Sequence, residues 1–184
     1  MSSSLFLQGT SIRLADDHRH HDEEDLVSTA CNRTLYVDVC VSSLRSDPRS
    51  STVSDIRGLA DLALDISIEN GMETLTYIKH LNSNNNGNNI TGRQDPAASY
   101  NSECLRDCAE LYEDAAQSLQ ESVHHLRIRY FEKVNMLVSA AMTDSETCED
   151  GFKEVAEGVS PLTQSYLYFY KLCSNFLAIT KLLY

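Results

Sequence analysis

The chain has no tryptophan, and its 184 residues include only seven glycines and three prolines. A turn-rich β fold uses both freely, so their scarcity favours long helices. No apolar run approaches the ~18 residues a membrane-spanning helix needs, which excludes such a helix. Basic residues are also few: 15 Lys and Arg against 27 Asp and Glu give a net charge of −12. That balance argues against nucleic acid, whose phosphates are held by Lys and Arg. No Ser/His/Asp order, glycine-rich phosphate loop or paired Cys-x-x-Cys is present, so neither an enzyme nor a cofactor is expected. The start of the chain lacks a signal-peptide core. Its only apolar patch, Leu5-Phe6-Leu7, is too short and has no basic flank.

What is there fits one soluble domain with a real core: hydrophobic residues are 42% and charged residues 23%. Six cysteines and two glycosylation sequons, at Asn32 and Asn89, suit a secreted protein. A leader removed or missing from this chain reconciles that with its N-terminus; a cytosolic protein with reduced thiols is the alternative. Residues 1–25 read as a disordered arm. Its run from Asp16 to Asp25 holds His18, His20 and His21, which suit a solvated arm better than a metal site.

Cys31 and Cys40 are nine residues apart, a gap that a disulfide across two short antiparallel segments would staple. Asp47-Pro48 ends that hairpin, over 26–50. Residues 52–81 read as a helix with Ile56, Leu59, Ala60, Ala63, Ile66, Tyr77, Ile78 and Leu81 on one face, and with a bend at Asn70-Gly71. An asparagine-rich surface loop is expected from Asn82 to about Ser102. A second helix spans 103–126, with Leu105, Cys108, Leu111, Tyr112, Ala115, Ala116, Leu119 and Val123 inward. A third covers 129–152, with Phe131, Val134, Val138, Ala141, Met142, Cys148 and Phe152 inward. Ser160 suits the N-cap and Pro161 the first position of a last helix to about 183. The fold class is therefore all-α: an antiparallel up-down-up-down four-helix bundle over 52–184, preceded by a disulfide-stapled helical hairpin.

In such a bundle a cysteine near the start of the second helix lies beside one near the end of the third. Cys108 and Cys148 meet that requirement, though Cys104, one turn away, could compete for Cys148. Cys104 and Cys173 differ by over ~10 Å along the bundle and are expected to be free thiols. Glu121-Ser122-Val123-His124 is a single Glu-x-x-His on a polar face, so no di-metal site is expected.

Four stretches resemble the plant inhibitors of invertase and pectin methylesterase: Cys31 to Leu44 followed by Asp47-Pro48, Asp107 to Ala115, Thr147 to Phe152, and Leu172 to Ile179. The resemblance spans 26–184. Glu149 to Glu154 with Val159-Ser160-Pro161 is most similar to the branch containing a plane-tree pollen allergen. The resemblance implies the Cys31–Cys40 and Cys108–Cys148 pairs. It also implies an inhibitor that forms a stoichiometric complex with a carbohydrate enzyme of the plant apoplast or vacuole. Cell-wall invertase inhibitors of the family carry Pro-Lys-Phe where this chain reads Arg129-Tyr130-Phe131. Pectin methylesterase is therefore the marginal lead and invertase the runner-up. A non-inhibitory extracellular bundle and an internal-pocket carrier are rivals from other classes. If the chain inhibits, the expected target face is the outer side of the second and third helices: Glu110, Glu113, Asp114, Gln117, Glu121 and His124, then Arg129, Tyr130 and Lys133.

Overall fold

The computed structural model describes residues 25–87, 96–155 and 160–184. Two short helices come first, α1 (Leu26–Cys31) and α2 (Val37–Ser46), followed by a 3-10 turn (Pro48–Thr52). Four long helices follow: α3 (Ile56–Gly87), α4 (Pro96–Arg127), α5 (Phe131–Val155) and α6 (Thr163–Thr180). A 3-10 turn (Lys181–Leu183) closes the chain.

Contacts at the helix ends set the topology. The start of α3 meets the end of α4, where Arg57 donates to the Arg127 carbonyl at 3.0 Å. The far end of α3 meets the start of α4 through Ser102 Oγ and Asn82 Oδ1 at 3.0 Å. Cys108 in the first half of α4 is bonded to Cys148 late in α5. At the other end Phe131, opening α5, stacks on Tyr184 after α6, with ring centroids 4.9 Å apart. Each helix therefore runs opposite to its neighbour, and α3–α6 enclose one core. Tyr112, Phe152, Phe169 and Phe176 fill it, all fully buried.

The hairpin lies along α3 and α6. Cys31 and Cys40 are bonded with Cα atoms 5.6 Å apart, and Ala30 and Leu44 join the core. Asn175 of α6 clamps its turn: Tyr36 N–H donates to Asn175 Oδ1 at 3.2 Å, and Asn175 Nδ2 donates to the Tyr36 carbonyl at 3.0 Å. At the hairpin's exit the Arg49 guanidinium reaches Asp47 at 2.6 Å, Glu69 at 3.0 Å and Asp65 at 3.2 Å. That fork ties the 3-10 turn to α3, although each exposed pair stabilises little.

Several boundaries differ from the sequence reading. Asp25 belongs to the fold rather than to an arm: its side chain caps α1 by accepting from Ser28 N–H at 2.9 Å and pairs with Arg45. The rest of the arm, 1–24, lies outside the described residues. Helix α3 begins at Ile56, with Asp55 accepting from Gly58 N–H at 2.7 Å. It then runs unbroken past Gly71 to Gly87. Gly71 serves close packing, since a Cβ there would sit 2.9 Å from the Phe169 ring. Tyr77, assigned inward, is 43% exposed. The proposed loop is helical over 82–87 and 96–102; residues 88–95, with the Asn89 sequon, lie outside the described set. Helix α6 starts at Thr163, because Ser160 Oγ accepts from Leu162 N–H in a turn before it.

Candidate target-binding face

On α4 the residues Glu110, Glu113, Asp114, Gln117, Glu121 and His124 recur every three or four positions, and all are exposed. At 3.6 residues per turn they occupy one arc of about 100°. They lie opposite the buried stripe of Leu105, Cys108, Tyr112, Ala115 and Leu119. The Cys108–Cys148 bond fixes α4 to α5 with Cα atoms 4.8 Å apart, so the face they share is held rigidly.

Charge is graded along it. Glu113 is paired across to Lys79 of α3. Nearer the turn, one oxygen of Glu121 lies 3.6 Å from Lys133 Nζ and 3.7 Å from His125 Nε2. Lys133 is half-buried and braces the start of α5 against the end of α4. The sequence reading missed Asp144. It is half-buried on α5, and burial first, then the nearby Asp114 carboxylate, push its pKa up from the ordinary 3.8. The clue lay in the period, since Asp144 falls between inward Ala141 and Ser145 and so at the helix border.

The turn between α4 and α5 has an unusual local geometry. Arg129 N–H donates to the Leu126 carbonyl at 3.1 Å, and Tyr130 N–H donates to the His125 carbonyl at 2.8 Å. This is the double bond pattern that closes a helix through one left-handed residue, a position glycine usually fills. Here it is Arg129, with φ 61°, and no other non-glycine residue among those described has positive φ. Its guanidinium reaches the Leu183 carbonyl at 3.3 Å. Tyr130 stays 51% exposed, its ring edge-on to His125 at 5.8 Å. Of the expected face, α4 and the turn thus form one continuous surface, with Lys133 at its inner edge.

Cys104 and Cys173 are unbonded. Cys173 is buried in α6, and burial pushes its thiol pKa far up. Cys104 lies 3.8 Å from the Gly151 carbonyl, one turn beyond Cys148. Burial, with Asp107 and Glu103 close by, raises its thiol too, which disfavours the reactive thiolate. Asn32 is exposed at the C-cap of α1. Among the described residues no group of three His, Cys, Asp or Glu side chains could hold a metal, and no helix is long and apolar enough to cross a membrane. The three histidines of the arm lie outside that set.

A family model described as plant invertase/pectin methylesterase inhibitor matches residues 25–179. A protein of Platanus acerifolia named "Putative invertase inhibitor" is 36% identical over 165 residues, covering 86% of each chain. The "Pectinesterase inhibitor" of Actinidia deliciosa is 30% identical, covering 88% of this chain and 80% of its own. Among solved structures, a mutant form of a pectin methylesterase inhibitor from Arabidopsis superposes with a TM-score of 0.64 at 27% identity. That match covers 84% of this chain and 95% of the other.

Proposed function

The chain belongs to the plant invertase/pectin methylesterase inhibitor family, whose members are proteinaceous enzyme inhibitors, and on that premise we propose that its target is a pectin methylesterase. The inhibitor acts outside the cell by docking the α4–α5 face over the enzyme's cleft in a stoichiometric complex. A disulfide-braced bundle presents that face preformed, so little ordering entropy is lost on binding.

One observation carries the choice of target. Arg129 closes α4 at φ 61°, whereas a proline ring locks φ near −65°. The Pro-Lys-Phe of cell-wall invertase inhibitors could not form this turn. The surface offered by Arg129 and Tyr130 therefore differs in backbone as well as in side chain. An arginine where glycine costs least also fits selection for its side chain rather than for stability. Invertase stands as the second reading, supported by the name of the Platanus relative.

Titration of the purified protein against both enzymes at mildly acidic pH tests the target. Inhibition of invertase alone would reverse the assignment. Arg129→Gly tests the turn: relief of the left-handed strain should stabilise the fold by about 0.5–1 kcal/mol while inhibition weakens at least tenfold. Tyr130→Ala, and Glu113→Lys with Glu121→Lys, should weaken inhibition at near-normal stability. Wild-type inhibition by all of these would move the binding surface elsewhere.

A further inference from the structure

Two surface cavities lie close to the C-terminal 3-10 turn, one lined by Lys181 and Leu182 and the other by Tyr184. One, of about 580 Å³, is lined by Arg129, Tyr130, Phe131, Glu132, Asn135 and Tyr184. The other, of about 410 Å³, lies between the hairpin turn and α6. Its walls include Arg33, Leu35, Met142, Leu177, Lys181 and Leu182. Asn135 and Met142 stand two turns apart on α5, roughly 10 Å at 1.5 Å per residue, so the two cavities follow one another along the same side of that helix. Their apolar walls are open to water: Leu35 is 76% exposed, Tyr184 71% and Leu182 40%. Large apolar side chains left exposed close together suit an interaction surface.

The rim is cationic. In a chain of net charge −12, Arg33, Arg129 and Lys181 have no carboxylate at ion-pair distance among the described residues, Arg129 donating to the Leu183 carbonyl, and Glu132 is the one acidic side chain in the lining of either cavity. We propose that the two cavities act as one groove, which receives a segment of the target enzyme that is apolar at its centre and carries carboxylates at its edges. The inference rests on the inhibitory reading, and it extends the footprint past the α4–α5 face to the hairpin turn and the C-terminus. Arg129 and Tyr130 border both surfaces, so a partner seated on the face reaches the groove without leaving the protein. Charge disfavours a second copy of this chain as occupant, because a two-fold contact would set the three cations against themselves. The apolar floor disfavours a plain polyanion, which would gain nothing from burying Leu35 and Leu182.

Two double variants separate the parts: Leu35→Asp with Leu182→Ser for the floor, and Arg33→Glu with Lys181→Glu for the rim. All four positions are exposed, so the melting temperature should hold within a few degrees. The inhibition constant against whichever enzyme the wild-type protein inhibits should rise at least tenfold in the floor variant. In the rim variant association should slow and lose its salt dependence, as rim charges act mainly on encounter. Wild-type inhibition by both double variants, with Tyr130→Ala still impaired, confines the target to the α4–α5 face and overturns the groove alone. A wild-type protein that inhibits neither enzyme removes the inhibitory reading and the groove with it. A dimer that these variants convert to monomer, with inhibition unchanged, assigns the groove to self-association and also overturns the proposal.

Discussion

Single residues here show how packing reverses what helix propensity suggests. Gly71 in the middle of α3 would be improved by alanine in an isolated helix, by roughly 1 kcal/mol. In this bundle the added Cβ meets the fully buried Phe169 ring, itself packed against Tyr112 at 5.5 Å. Overpacking of this kind costs about 1–3 kcal/mol. Gly71→Ala should therefore lower the unfolding free energy by about 1 kcal/mol in urea titration, opposite in sign to the propensity. A glycine inside an apolar period reads as a bend because its partner comes from the other end of the chain. Asp144 gives a pH-dependent case. Burial and Asp114 raise its pKa in the fold, so the ionised carboxylate opposes folding above the raised value. That penalty fades as pH falls through it. Asp144→Asn should be the more stable protein in thermal melts at pH 7, and the gap should close towards pH 3. An equal gap at both values would assign the effect to something other than charge.

At the scale of elements, the inward stripes of α4, α5 and α6 were legible because apolar residues recur at the helical period. The overhangs of α3 and α4 were not. Asparagine is a weak helix former and reads as loop, yet α3 continues to Gly87, and Asn82 is joined to Ser102 across the two helices. Ser160-Pro161 looked like a cap because both residue types suit one; here the serine closes a turn before the helix instead. The proposed target face was legible only as an outward polar surface. The Arg129 geometry depends on backbone angles that no spacing reveals. The hairpin supplies a prediction of its own. Asn175 meets both polar groups of the Tyr36 backbone, and leaving such groups unpaired costs about 1–3 kcal/mol each. Asn175→Ala should raise hydrogen exchange throughout 26–46 while α4 and α5 keep wild-type protection. Uniform loss of protection would mean the hairpin is not a separate unit.

For the whole molecule, residues 1–24 are expected to be dispensable for folding. Their dense charge offers little apolar surface to bury, and the first cap is supplied by Asp25. Removing 1–24 and keeping Asp25 should leave the melting temperature unchanged within about a degree. A large fall would show that the arm packs on the bundle. The Tyr36–Asn175 clamp has a further consequence, in time rather than in stability. It joins positions 139 residues apart, whereas the Cys31–Cys40 bond closes a span of nine. On a chain emerging from its N-terminus, the stapled hairpin can form early, but its seat on α6 does not exist until synthesis is nearly finished. Helix α3 can offer part of the cover for Ala30 and Leu44 earlier, but the expected order has hairpin docking completed only when α6 arrives.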